Sequence, residues 1–172
     1  MGTMTKRETL GRAELEALVT LALDEARKLG VDQAEAAASQ DTGLSATARL
    51  GDVESLEYTN DRGIGITVFK DHRKGNASTS DMSPAAIREA VSKAVSFANV
   101  TAPDEFAGLA DANLMCQDIR DLDLDHPWDL SAEAAIAMAI ESEKAGLDSD
   151  ARISNSEGAT VGTNRGSRAY GN

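Results

Sequence analysis

Cysteine, histidine, aromatic side chains and basic charge are all scarce in this 172-residue chain. The single Cys116 can form neither an internal disulfide nor a thiolate metal cluster, so a reducing, cytoplasmic setting is expected. The two histidines, His72 and His126, have no Glu beside them and no second His four or five residues away, which excludes a zinc-hydrolase helix. No apolar run approaches the roughly 18 residues of a membrane span, and the opening stretch MGTMTKRETLGRAELEAL lacks the apolar centre of a secretory leader. With 17 Lys and Arg against 29 Asp and Glu, the formal charge is −12. Phosphate backbones call for a basic face, so neither nucleic acid nor membrane is an expected partner.

Bulk is scarce as well. Alanine accounts for 29 residues, whereas Leu, Ile, Val and Phe together supply only 33, under a fifth of the chain. That share with high net charge is a compositional flag for disorder. The bulky residues nevertheless fall on periodic faces, which favours a folded domain whose thin core is completed by further chain or a partner. The charge is also local: residues 104–150 hold 13 acidic and 2 basic side chains, against 13 and 10 in residues 1–80.

Residues 12–29 carry Leu15, Leu18, Val19, Ala22, Ala26 and Leu29 at helical spacing, with Gly30 as the stop. From 33 to 80 the period falls to two, over Gln33–Gln40, Gly43–Leu50, Val53–Thr59, Gly63–Lys70 and Gly75–Ser80, with turns expected at Asp41–Gly43, Gly51-Asp52, Asn60–Gly63 and Asp71–Lys74. Connections this short require antiparallel pairing. Ser83-Pro84 opens a second helix with Ile87, Ala90, Val91, Ala94, Val95 and Ala98 inward. A third helix begins near Ser131 and presents Ile136, Ala139, Ile140 and Leu147; residues 152–172 read as extended, with turns at Ser156–Gly158 and Asn164–Gly166. The expected class is two-layer α+β, an antiparallel β-meander packed against two to three α-helices. The expected organisation is a flexible N-terminus at 1–11, a helix, meander and second helix at 12–103, an acidic connector at 104–130, and a third helix and extended segment at 131–172 that continues into a further C-terminal domain.

Motif tests identify no active site. Gly63-Ile64-Gly65-Ile66-Thr67-Val68 fails the dinucleotide fingerprint, which needs a third small residue and must open a helix; its glycines are read as admitting a neighbouring element. An EF-hand loop opening at Asp121 would need Gly at its sixth position and Glu at its twelfth, where His126 and Ala132 stand. The run Asp118, Asp121, Asp123, Asp125 reads as a solvated connector, with a cation site or cradle for a basic partner as the functional alternative. Ser78, Thr79 and Ser80 have no His or acid tied to them, and Gly-x-Ser-x-Gly is absent. Phe69 and Trp128 suit a core or an interface equally.

Arg62–Pro84 (RGIGITVFKDHRKGNASTSDMSP), the helix Ile87–Ala98, Thr101–Asp104 and Ala107–Asp111 together resemble the N-terminal domain of the PmbA/TldD family, the PmbA (TldE) branch more than the TldD branch. The likeness continues through Asp121–Leu124, His126-Pro127, Arg152–Gly158 and Gly171-Asn172. It implies a cytoplasmic peptide-processing metalloprotease working as a heterodimer of two related subunits, a family first named as modulators of DNA gyrase. The zinc-binding His-Glu-x-x-x-His helix of the TldD branch has no counterpart here. No catalytic, cofactor-binding or metal-binding residue is therefore assigned, and zinc is expected in a TldD-like partner. The chain alone is expected to be inactive, its partners being that subunit, a second copy of itself and peptide substrate. A free-standing acidic module that binds basic peptides or proteins is the rival reading, and a hydrolase built on His72 or His126 ranks below both.

Overall fold

The computed structural model describes residues 10–116 and 118–172; the segment 1–11 expected to be flexible lies outside them apart from its last two residues. Helix α1 spans Arg12–Lys28. The Gly11 amide at its start donates to Glu14 Oε2 (2.7 Å), and Arg27 and Lys28 face the negative end of its dipole. Gly30, at φ +69°, supplies the left-handed residue that ends it. Helix α2 spans Pro84–Val100, with Ser83 Oγ accepting from the Ala86 amide (3.3 Å) and Pro84 at the first position. Helix α3 spans Ala132–Asp148 and is capped the same way by Ser131 (3.2 Å).

Four strands, β1 (Gln33–Arg49), β2 (Asp52–Lys70), β3 (Arg73–Thr79) and β4 (Ala159–Gly171), form one sheet in the order β3-β2-β1-β4. The first three make the expected meander. Ile64 faces Thr79 and Lys70 faces Arg73 across the antiparallel β2–β3 pair. Both hairpin turns contain two residues at positive φ, Leu50-Gly51 (51° and 83°) and Asp71-His72 (50° and 57°), the geometry that suits the right-handed twist of paired strands. Strand β4 returns antiparallel along β1, with Thr47 beside Thr160 (2.9 Å) and Thr42 donating to the Arg165 carbonyl (3.4 Å).

Fewer, longer strands replace the short ones read from the sequence. Asp41–Gly43 and Asn60–Gly63 do not turn; they lie within β1 and β2, as Asn164–Gly166 lies within β4. No residue of these stretches has positive φ. Gly43 serves close approach instead, because a Cβ there would lie 2.8 Å from the Thr163 carbonyl oxygen.

The chain divides into two compact units: unit 1 comprises residues 1–40, 61–120 and 167–172, and unit 2 comprises 41–60 and 121–166. In unit 1, Leu15, Val19, Ala22 and Ala26 of α1 and Ile87, Ala90, Val91, Ala94 and Ala98 of α2 bury against Ala36, Ala38, Ile64, Ile66 and Val68. Alanine lets a helix lie close, and Gly75 of β3 shows how close: a Cβ there would meet Ala94 O at 2.0 Å and Ala98 N at 2.5 Å. Unit 2 has a smaller core of Leu44, Ala46 and Ala135, with Leu130, Ile136 and Val161 packed around it.

Candidate functional site

The buried row of α3 is Ala135, Ala139 and Glu143, with Ile136, Ile140 and Leu147 half-buried beside it. Glu143 is the member that hydrophobic periodicity alone misses. Only 5% exposed, it accepts from the Leu50 amide through Oε1 (2.8 Å) and from the Gly51 amide through Oε2 (3.0 Å). It thereby holds both central residues of the β1–β2 turn. Hydrogen bonds from Gly51, then Leu50, keep its carboxyl below the ordinary carboxylate range, with Ser156 and Arg49 adding to the effect. Every lone pair so engaged serves the fold, which makes Glu143 a positioning group rather than a reactive one.

Unit 1 carries a shallow cleft of about 430 Å³ on the sheet face, lined by Glu35, Gly65, Thr67, Asn76, Ser78 and Tyr170 among others. Tyr170 Oη donates to Glu35 Oε2 (2.9 Å); burial and this bond raise the phenol's pKa. The cleft offers hydroxyls from Thr67, Ser78 and Tyr170, the Asn76 amide and the Glu35 carboxylate, which already accepts from Tyr170. Gly65 opens into this space, with no atom within 4 Å of an added Cβ, contrary to the close neighbour expected from its spacing. A second cleft lies between Phe69, Lys74, Asp104 and Phe106. Phe69 is buried under the Lys74 ammonium, 6.0 Å from the ring centroid, whereas Phe106 is 86% exposed.

The remaining candidates do not converge. His72 lies in the β2–β3 turn with an exposed ring, and its carbonyl accepts from the Asp104 amide (2.7 Å). His126 Nε2 lies 2.6 Å from the Asp123 carbonyl oxygen, and Arg165 engages both oxygens of Asp125 (2.9 and 2.7 Å). Asp118, Asp121, Asp123 and Asp125 are all exposed, as a solvated connector requires. Among the described residues no group of three or more His, Cys, Asp or Glu is placed to hold a metal. The described donors do not fit a zinc site. Cys116 and Trp128 are exposed, and no described helix is long and apolar enough to cross a membrane.

The helices and the four-stranded antiparallel sheet define an α+β architecture that known proteins share. Residues 34–98 match the model for PmbA/TldA metallopeptidase domain 1. The chain belongs to the PmbA/TldD family, and those residues are its first domain. It is 44% identical over 159 residues to the Metalloprotease PmbA homolog of Haemophilus influenzae, covering 92% of this chain and 35% of that protein. It is 43% identical over 161 residues to Metalloprotease PmbA of Escherichia coli O157:H7, covering 94% and 36%. The chain thus spans about a third of the length of these relatives. The same fold occurs in a candidate modulator of DNA gyrase from Bacteroides thetaiotaomicron (TM-score 0.66, 21% identity, 90% of this chain and 34% of that one). It also occurs in TldE from Thermococcus kodakarensis (TM-score 0.60, 18% identity, 91% and 38%).

Proposed function

We propose that the chain is the N-terminal region of a PmbA/TldE-like subunit of a heterodimeric, cytoplasmic zinc metalloprotease that processes or degrades peptides. It serves there as a non-catalytic scaffold and a contact for a TldD-like subunit. The observation that carries this reading is the 43–44% identity to PmbA metalloproteases across more than nine-tenths of the chain. Zinc would be held by the partner's residues and would supply Lewis-acid activation of a carbonyl and of water there; no residue of this chain is assigned to hold it. This chain's own contribution is surface: in unit 1, a sheet face that presents Thr67, Asn76 and Ser78, and exposed apolar side chains such as Phe97, Val100 and Phe106 that suit burial by neighbouring protein.

Co-purification with a TldD-like subunit tests the contact; the expected result is co-elution as one species, and separate elution at micromolar concentrations overturns it. Chelator-sensitive peptide cleavage by this chain alone would overturn the non-catalytic role.

A further inference from the structure

Unit 2 presents a sheet edge that no strand covers. Strand β3 reaches β2 only as far as the Ile64–Thr79 pair, so within unit 2 the order is β2-β1-β4. Among the described residues, Asp52–Thr59 of β2 therefore have β1 on one side and no strand on the other. These eight residues extend about 26 Å at ~3.3 Å each. All are exposed except Ser55, which is half-buried. Their outward amides and carbonyls form a ready row for an added strand. Val53, Leu56 and Tyr58 stand 48%, 41% and 56% exposed along it and offer apolar contact to alternate side chains of an incoming chain.

Charge selects the occupant. The edge carries Asp52, Glu54 and Glu57 with no Lys or Arg, and unit 2 as a whole has 14 acidic and 4 basic side chains. Each of those four cations already lies beside a carboxylate: Arg49 at Glu54, Lys144 at Asp148, Arg152 at Asp150 and Arg165 at Asp125. The surplus facing solvent is therefore negative. A second copy docked edge to edge would oppose one such surplus with another, and like charges across a strand pair are destabilising. Acidic side chains on a free edge thus discourage self-pairing and favour a strand of opposite charge.

We propose that the Asp52–Thr59 edge of β2 takes up an extended, lysine- or arginine-rich segment of a partner protein as an added β-strand. The inference rests on the open edge and the charge of unit 2, and it stands whether or not the chain serves in a protease.

The test is fluorescence anisotropy with a labelled eight-residue peptide alternating Lys with Val and Thr, titrated with the 172-residue chain. An added strand uses alternate amides, so N-methylating one alternate set should weaken binding at least about tenfold while methylating the other set leaves it nearly intact. The exposed double variant Glu54→Gln/Glu57→Gln, whose circular dichroism should match the parent, should bind about tenfold more weakly. Amide shifts on titration should centre on residues 52–59. Equal effects of the two methylation sets, undiminished binding by the double variant, or shifts confined to other residues would overturn the proposal. So would concentration-dependent dimerisation abolished by Leu56→Lys with no peptide binding, which would give the edge to a second copy. None of these outcomes depends on co-elution with a TldD-like subunit.

Discussion

The two units solve the shortage of bulk in different ways. Among the described residues, unit 1 has a core cluster of seventeen built from two helices and the sheet, and with 15 acidic and 13 basic side chains it is close to electrical balance. Unit 2 buries a cluster of three beneath one helix, carries a net charge of −10, and relies on a buried carboxylate to hold its turn. A composition averaged over the whole chain describes neither. The comparison separates stability from partner choice: close alanine packing supports unit 1, whereas unit 2 gives up core for an acidic, solvated surface. Hydrogen exchange should accordingly show slower amides in Ile64–Val68 and α2 than in Asp52–Thr59.

The largest blow to this contrast should come from Gly75→Ala. The new methyl would collide with α2 backbone, which cannot swing aside as a side-chain end can, and we expect a loss of about 3 kcal/mol in chemical denaturation. An unchanged midpoint would show that the helix has room to move. Next is Glu143→Gln, which should speed exchange of the Leu50 and Gly51 amides while leaving α2 protected. Folding lowers this carboxyl's pKa, so its contribution is complete above the ordinary value of 4.5 and fades as pH falls through the depressed folded value. Protection of those two amides that persists unaltered in acid would contradict the role given to Glu143. Smaller and opposite in sign are Leu50→Gly and His72→Gly, each relieving a non-glycine residue from positive φ and raising stability by about 1 kcal/mol. Smallest is Arg165→Ala, whose exposed ion pair with Asp125 should leave the thermal midpoint within error.

Helix boundaries were legible because their signals are local. Ser83-Pro84 and Ser131 supply capping groups within three residues of the amides they satisfy, and apolar spacing on α1 and α2 names the buried side chains directly. Strand lengths were not. Asp41–Gly43 and Asn60–Gly63 have the composition of turns, but whether such residues turn depends on a neighbouring strand arriving from far along the chain, as Thr163 does at Gly43. Glu143 escaped for a related reason: its partners lie more than ninety residues away, and a carboxylate on a buried face reads as an error until the turn amides are seen. The family resemblance was legible in the Arg62–Pro84 block, where chain-local pattern and tertiary role coincide. The open edge of β2 was invisible, since it depends on where β3 stops.

One consequence of the chain path concerns synthesis. Unit 1 is assembled from three separated stretches, and Ala169 of β4 joins its core while Tyr170 bonds to Glu35, 135 residues earlier. On the ribosome, α1, the hairpins and α2 emerge long before the strand that finishes their sheet, and residues 121–166 of unit 2 are made in between. The nascent chain must therefore wait with the β1 edge of unit 1 unpaired, and loop closure over such a separation slows folding. A chaperone or an early-arriving partner would find that seam exposed only during this interval.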